Sequence, residues 1–294
     1  MNVARDSQGI APGQPPGQPP GGGEGGAVAD RYTVHSVARA LRLLNIVATA
    51  PQEGLPLSTL ARSLGASKSA TLALARTLTT HGLLKDARPG PRYTLGAALI
   101  KLGDIARGQF PLGDLCRPVL TELAHLTKMT SRVAIWDEGY PVFIERVEGS
   151  ATERKHAPLG QREVPYTSAV GKAILATMPE EEVRAVCERT TWQAKTARTI
   201  TDIDSLLTNL AVVRDVGFAV EDEEDTDGIL CVGAAFYAKD SSCAGAISVT
   251  GLRGDLPAWR VNELGRIVRR FADQVSELLR TTNSAFNLVA AVPA

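Results

Sequence analysis

The step Gly171-Lys172 is the first place in this 294-residue chain where residue type and spacing could do chemistry, because a Gly-Lys pair can close a phosphate-binding loop. Such a loop needs a glycine five positions earlier and a hydroxyl residue after the lysine. Tyr166 and Ala173 stand there instead, so the small residues here are read as letting a helix approach a strand or a ligand closely. The acidic run from Glu221 through Asp222, Glu223, Glu224, Asp225 and Asp227 to Gly228 has the density of a calcium loop. Aligned on Gly228, its first ligand would be Glu223 and its twelfth Ala234, which has no carboxylate, so a solvated loop is expected. The cysteines, Cys116, Cys187, Cys231 and Cys243, lie far apart without CxxC spacing and read as reduced thiols in small apolar sites. The histidines, His35, His81, His125 and His156, are scattered; His156 is either a ligand contact or an incidental surface residue. No nucleophile–base pair is present, so neither an enzyme nor a resident metal or cofactor is expected.

Charge is more informative. The chain is neutral, with 32 basic and 32 acidic side chains, but the balance is uneven. From Arg31 to Leu95 nine basic residues face only Glu53 and Asp86, a net of +7. A basic module joined to an acidic remainder points to a polyanionic partner for the first. Residues 1–30 are dominated by Gly, Pro and Gln and are expected to be a disordered arm. No apolar run is long enough to span a membrane, and a cytoplasmic protein is expected.

The elements that must position these charges follow from periodicity. His35–Ala48 repeats Val37, Leu41, Leu44 and Val47 at helical spacing, with Ser36 as its expected cap. A short helix over Leu57–Leu64, capped by Ser58, leads through Gly65-Ala66-Ser67 into a third helix that ends near Thr80, with Gly82 beyond it. Two short helices around a glycine turn make a helix-turn-helix, whose second helix would read the major groove. Its leading residues Ser67, Lys68, Ser69, Ala70, Leu72, Ala73 and Arg76 are the candidate DNA contacts. Strands at 83–85 and 92–95 flank a turn-rich segment, a basic wing whose Arg88 and Arg92 should meet phosphates.

Residues 96–112 form a linker helix with Leu99, Leu102 and Ile105 on the side expected to pack. From Gly113 to 282 helices and strands alternate. A helix over 115–126 precedes a hairpin of 132–136 and 141–147 turning at Asp137–Tyr140. Helices follow over 169–176, 179–187 (Pro179 at its first position) and 202–216. Strands at 218–221, 229–237 and 243–249 and a closing helix over 259–279 complete an α+β domain, with 283–294 as a tail.

The run from His35 to Gly103 resembles the IclR family of bacterial regulators, through the opening Ser-Val-x-Arg-Ala-Leu-x-Leu-Leu helix, the Lys68-Ser69 turn and the Tyr93-x-Leu95-Gly96 exit from the wing. It departs from the family in the recognition helix. Ala70, Leu72 and Ala73 stand where relatives often carry Thr and a His-Arg pair, so the operator cannot be borrowed from them. The second half resembles the family in three segments: Gly160–Ala173, Gly228–Ala235 and Ala246–Gly251. The resemblance covers roughly 31–282 and implies a GAF-like domain that binds small metabolites. It places effector contacts at Ala169, Val170, Glu221, Ile229, Cys231, Ser248 and Thr250. Glu221 stands where Asp is common, and the longer carboxylate should disfavour a small dianion.

The expectation is therefore a regulator, a repressor, whose binding to double-stranded operator DNA responds to a small-molecule effector. One winged domain buries little surface, so a homodimer or homotetramer is expected. The rival reading is an architectural DNA binder whose second domain only oligomerises.

Overall fold

The computed structural model describes residues 32–87, 92–150 and 158–282, so Arg88, His156, the arm 1–30 and the tail 283–294 lie outside the described residues. The chain divides into two compact units between Ile105 and Ala106.

In the first unit, helix α1 (His35–Ala48), helix α2 (Leu57–Leu64) and helix α3 (Lys68–Thr80) enclose a core of Leu43, Val47, Leu60, Leu64, Ala75 and Leu78. The expected caps at Ser36 and Ser58 are not used. Helix α1 begins on Val34, whose carbonyl accepts from Val37 and Ala38, and α2 begins on Pro56, whose ring fixes the extended entry. Residues Leu55–Pro56 form a short strand, β1, that sequence patterning missed. It joins β2 (Leu84–Ala87) and β3 (Arg92–Leu95) in an antiparallel sheet of order β1-β3-β2. Tyr93 of β3 closes the core from below at 5% exposure. Helix α4 (Ala98–Gly108) follows, and none of its residues is buried.

The second unit is an α+β layer structure. Its five-stranded antiparallel sheet has the order β5-β4-β8-β7-β6, from β4 (Thr130–Asp137), β5 (Tyr140–Val147), β6 (Ala219–Asp222), β7 (Ile229–Tyr237) and β8 (Cys243–Leu252). The hairpin between β4 and β5 turns at Glu138-Gly139, both with positive φ, the conformation a two-residue hairpin turn demands. Helices α5 (Pro111–Thr127) and α9 (Ala258–Thr281) cover one face. Val268, Phe271, Ala272 and Val275 of α9, spaced to share a stripe, are fully buried there. Helices α6 (Ala169–Leu175), α7 (Glu180–Glu188) and α8 (Ile203–Val216) contribute to the core on the other face, packed with Ala134, Trp136, Phe143 and Ala246. Both faces of the sheet are thus covered, and polar residues in its middle, such as Arg132, Ser248 and Thr250, are buried.

Candidate nucleic-acid interface and ligand site

Gly65 closes α2 in the left-handed region at φ 65°, with Ala66 N–H donating to Ala61 O and Gly65 N–H to Arg62 O. That cap turns the chain sharply into α3. Ser67 caps α3, its Oγ accepting from Ala70 N–H at 3.2 Å, and Ser69 Oγ lies 3.1 Å from it. Ser67, Lys68, Ser69, Ala73 and Arg76 are exposed on α3, while Ala70 and Leu72 are half-buried. Thr77 and Thr80 continue the exposed face, but their hydroxyls bond back to Ala73 O and Arg76 O. The face therefore offers two long cations, Lys68 and Arg76, and a mostly small or apolar remainder. Arg92 is differently placed from its expected role. Its Nε and Nη2 donate to Gly54 O at 3.2 and 3.0 Å, and its Nε also to Glu53 O at 3.1 Å. The guanidinium ties the loop before β1 to the base of the wing.

In the second unit, residues two apart on a strand share a face. On the α6 side, register sets Arg132 of β4 opposite Ser248 of β8 and Ser248 opposite Gly233 of β7. The next row aligns Thr130, Thr250, Cys231 and Glu221. Six of the seven effector positions named by resemblance (Glu221, Ile229, Cys231, Ser248, Thr250 and the start of α6 at Ala169) are brought together by this register and by Gly233. A Cβ at Gly233 would stand 2.9 Å from Ala169 C, so the helix start rests directly on β7. Val170 follows on α6 and is buried.

The polar groups are interlocked. Thr250 Oγ1 accepts from Arg132 Nη2 at 2.6 Å and sits 3.2 Å from Cys231 Sγ. The Arg132 guanidinium also lies over the Phe143 ring, 3.9 Å from its centroid. Glu221 is 2% exposed, and its Oε1 accepts from Glu224 N–H at 2.9 Å and Asp225 N–H at 3.2 Å. Burial pushes the Glu221 carboxyl up to about 7, against the pull of the Cys231 thiol and these backbone donors. Burial likewise raises the Cys231 thiol well above its ordinary value, with the Glu221 charge adding to it. It is a packed thiol, not a nucleophile.

The acidic run is not the solvated loop its composition indicates. Lys172, fully buried, donates to Val220 O at 2.6 Å and pairs with Glu224; Thr167 donates to Asp225 Oδ1 at 2.9 Å; Lys195 pairs with Asp225. Gly171 permits this: a Cβ there would fall 2.3 Å from Pro165 O. The Gly-Lys step holds the acidic loop against α6 and has no phosphate role. Among the described residues no group of three or more His, Cys, Asp or Glu is placed to hold a metal ion, and no helix is long and apolar enough to cross a membrane.

Two residues escaped the sequence reading. Arg132 is 6% exposed, and Glu163, with a nearly buried carboxyl, is raised above its usual value by burial and the Asp225 charge, with Arg132 and Lys195 opposing. Arg132 sits in a strand whose alternation makes a charged residue look outward-facing. Only the cover of helices on both faces, invisible in a short strand pattern, turns it inward.

Comparison with known proteins accords with this architecture. Residues 108–277 match the family described as bacterial transcriptional regulator IclR C-terminal, and residues 36–87 match the IclR helix-turn-helix domain. The chain belongs to the IclR family of bacterial transcriptional regulators, proteins that act on transcription and are not enzymes. It is 27% identical over 245 residues to the transcriptional repressor IclR of Escherichia coli, covering 83% of this chain and 89% of that one. The crystal structure of Thermotoga maritima IclR superposes with a TM-score of 0.68 at 25% identity, covering 84% of this chain and all of that one. A third likeness, of fold alone at 17% identity and TM-score 0.66, is to an IclR homolog of Microbacterium hydrocarbonoxydans complexed with 4-hydroxybenzoate, covering 84% of this chain and 100% of that one.

Proposed function

We propose that this regulator represses transcription as a homodimer or dimer of dimers, and that a small-molecule effector bound between the sheet and α6 changes its operator affinity. The winged domain, 31–95, reads the operator through Ser67, Lys68, Ser69, Ala70, Leu72, Ala73 and Arg76, with Arg88 as a phosphate contact of the wing. Arg92 positions the wing, its Nε and Nη2 being engaged by Gly54 O and Glu53 O, and adds a weaker phosphate contact than Arg88. The linker, 96–112, leads to the sensing domain, 113–282, which carries the effector at Ala169, Val170, Glu221, Ile229, Cys231, Ser248 and Thr250. Thr250 acts there through Arg132 and Cys231, which already engage its hydroxyl.

The observation that carries the sensing role is Ser248. Ser248 is 1% exposed, and its hydroxyl has no hydrogen-bond partner among the described residues, at a position flanked in register by Arg132 and Gly233. An unsatisfied buried hydroxyl costs about 1–3 kcal/mol, a penalty that a purely oligomerising domain would gain nothing by keeping. Oligomerisation is supported by α4, whose Ile100, Leu102 and Ile105 are 76%, 54% and 52% exposed, so these apolar residues find no cover among the described residues. The naming of the Escherichia coli relative as a repressor and the complex of the Microbacterium homolog with 4-hydroxybenzoate agree in kind with repression and with an organic effector.

The test has two stages. Full-length protein selects bound sequences from random DNA, and metabolites are then screened for a change in affinity for the selected site. A selected site with two related half-sites and at least one metabolite that shifts binding are expected. Selection of no sequence, or sequence-selective binding that no metabolite alters, would contradict the proposal.

A further inference from the structure

We propose that residues 193–199 are a strap that gates the polar row of the sensing unit, lifting off the acidic loop to admit small molecules. Such a gate gives the sensing site above its route of entry, and rests on that reading only for which ligand passes. The need for a moving part follows from burial. Arg132, Glu221, Ser248 and Thr250 are all buried, so a ligand reaches them only by displacing part of their cover. The helices are poorly suited to move. Every residue of α6 is buried, and α7 and α8 give Val183, Leu206 and Leu210 to the same core, so shifting any of them would expose apolar surface.

The strap is built differently. Trp192 and Ile200 pack partly buried against the core and pin its two ends, and Trp192 also stacks on Tyr166, with ring centroids 4.4 Å apart. Between these pins Gln193, Ala194, Lys195, Ala197 and Arg198 are exposed, and Thr196 and Thr199 are half-buried. What holds the strap down is polar. Thr196 Oγ1 donates to Glu223 O at 2.7 Å and Thr199 Oγ1 to Glu224 O at 2.6 Å. Arg198 pairs with Asp222 at 3.1 Å and Glu223 at 3.4 Å, and Lys195 pairs with Asp225. Each contact is weak by itself, because the hydroxyl bonds replace bonds to water and the ion pairs are partly exposed and screened. Local opening of such a segment requires far less free energy than unfolding the domain.

The acidic loop lies between the strap and the row. Its outer side carries the strap, while its Glu224 and Asp225 N–H groups donate to Glu221 Oε1 at 2.9 and 3.2 Å, and Glu221 stands opposite Cys231 in register. Glu223 has φ 62°, an unfavourable conformation for a residue with a side chain, so the loop keeps its shape through its contacts and loosens when the strap leaves. Lys172 and Thr167 hold Glu224 and Asp225 from within, which returns the loop to its place on closing.

The test is labelling of the full chain with iodoacetamide, a small neutral probe, followed at each cysteine by mass spectrometry. Cys231 is half-buried in the row, whereas Cys116 is fully buried in the core on the opposite face and serves as the internal control. Thr196→Val with Thr199→Val removes both strap hydroxyls; it should speed labelling of Cys231 about tenfold and leave Cys116 unchanged. Thr196→Ser with Thr199→Ser keeps the hydroxyls and should label at the wild-type rate. Should the valine variant fail to fold by circular dichroism, Lys195→Ala with Arg198→Ala replaces it and should speed Cys231 about threefold, again without Cys116. The proposal is overturned if the variant labels Cys231 at the wild-type rate, if Cys116 accelerates in step, or if the serine variant behaves as the valine one. Selective opening at Cys231 in a protein whose operator binding no metabolite alters keeps the gate and removes the sensing role. A metabolite response with Cys231 labelling indifferent to the strap keeps the sensing role and overturns the gate.

Discussion

Glu221 makes the stability of the sensing domain depend on pH. Burial raises it from 4.5 to about 7, so the folded state binds a proton that the unfolded chain has released. Its contribution to stability is complete below about pH 4.5 and is lost as pH climbs through about 7. Glu221→Gln keeps an acceptor for the N–H groups of Glu224 and Asp225 but removes the ionisation. The variant should gain on the wild type between these limits, by about 3 kcal/mol at pH 8 relative to pH 4.5. All three tryptophans, Trp136, Trp192 and Trp259, lie beyond residue 105, so urea unfolding followed by their fluorescence reads this unit. A pH-independent difference between the two proteins would contradict the assigned burial cost. Arg92 gives a second single-residue contrast. Lys68→Ala and Arg76→Ala should each flatten the salt dependence of DNA binding by about 0.9 of slope. Arg92→Ala should change the slope less and destabilise the winged unit more, because its donors bind backbone carbonyls. A slope change at Arg92 equal to that at Lys68 would make it a full phosphate contact. Residue roles of this kind were only half legible in the sequence. The resemblance placed Ser248, Thr250, Cys231 and Glu221 on one expected ligand site, whereas Arg132 was missed because nothing local marks a polar strand residue whose two possible outlets are both covered.

Secondary elements were more legible than their ends. The three helices of the winged domain, strand β3 and strand β7 fall where hydrophobic period and glycine punctuation put them. The caps at Ser36 and Ser58 failed because backbone geometry at Val34 and Pro56 competes with side-chain capping, and the two-residue β1 exists only through its pairing with β3. The acidic run misled for a related reason. Its partners Lys172, Thr167 and Lys195 are remote in sequence and become neighbours only when α6 lies on the sheet. At α3 the consequence is base preference. An exposed face of Ser69, Ala73 and half-buried Leu72 suits thymine methyl groups better than guanine, so the selected half-site should be richer in A·T than in G·C. Ala73→Arg should change the preferred sequence more than the affinity for DNA in general. Conserved G·C pairs in sites selected by the wild type would count against this account of α3. The turn before it is equally testable: Gly65→Ala puts a side chain at φ 65° and should lower the stability of the winged domain by about 1 kcal/mol.

For the molecule as a whole, the basic first unit and the acidic second one divide the labour of holding DNA and sensing a metabolite. Paired winged domains would place half-sites one helical turn, or a multiple of it, apart, so the footprint should be two-fold symmetric and the free protein a dimer or tetramer by sedimentation. A monomer that binds a single asymmetric site would contradict that assembly. An effector can alter such a complex only if it binds the DNA-competent arrangement and its alternative with different affinity. The most direct test is therefore fluorescence anisotropy on the selected operator, with and without the metabolite recovered by screening, for the wild type and for the double variant Ser248→Ala, Thr250→Val. The two proteins should bind the operator equally when free, and only the wild type should change its affinity when the metabolite is added. A double variant that responds at the same metabolite concentration as the wild type would contradict the account.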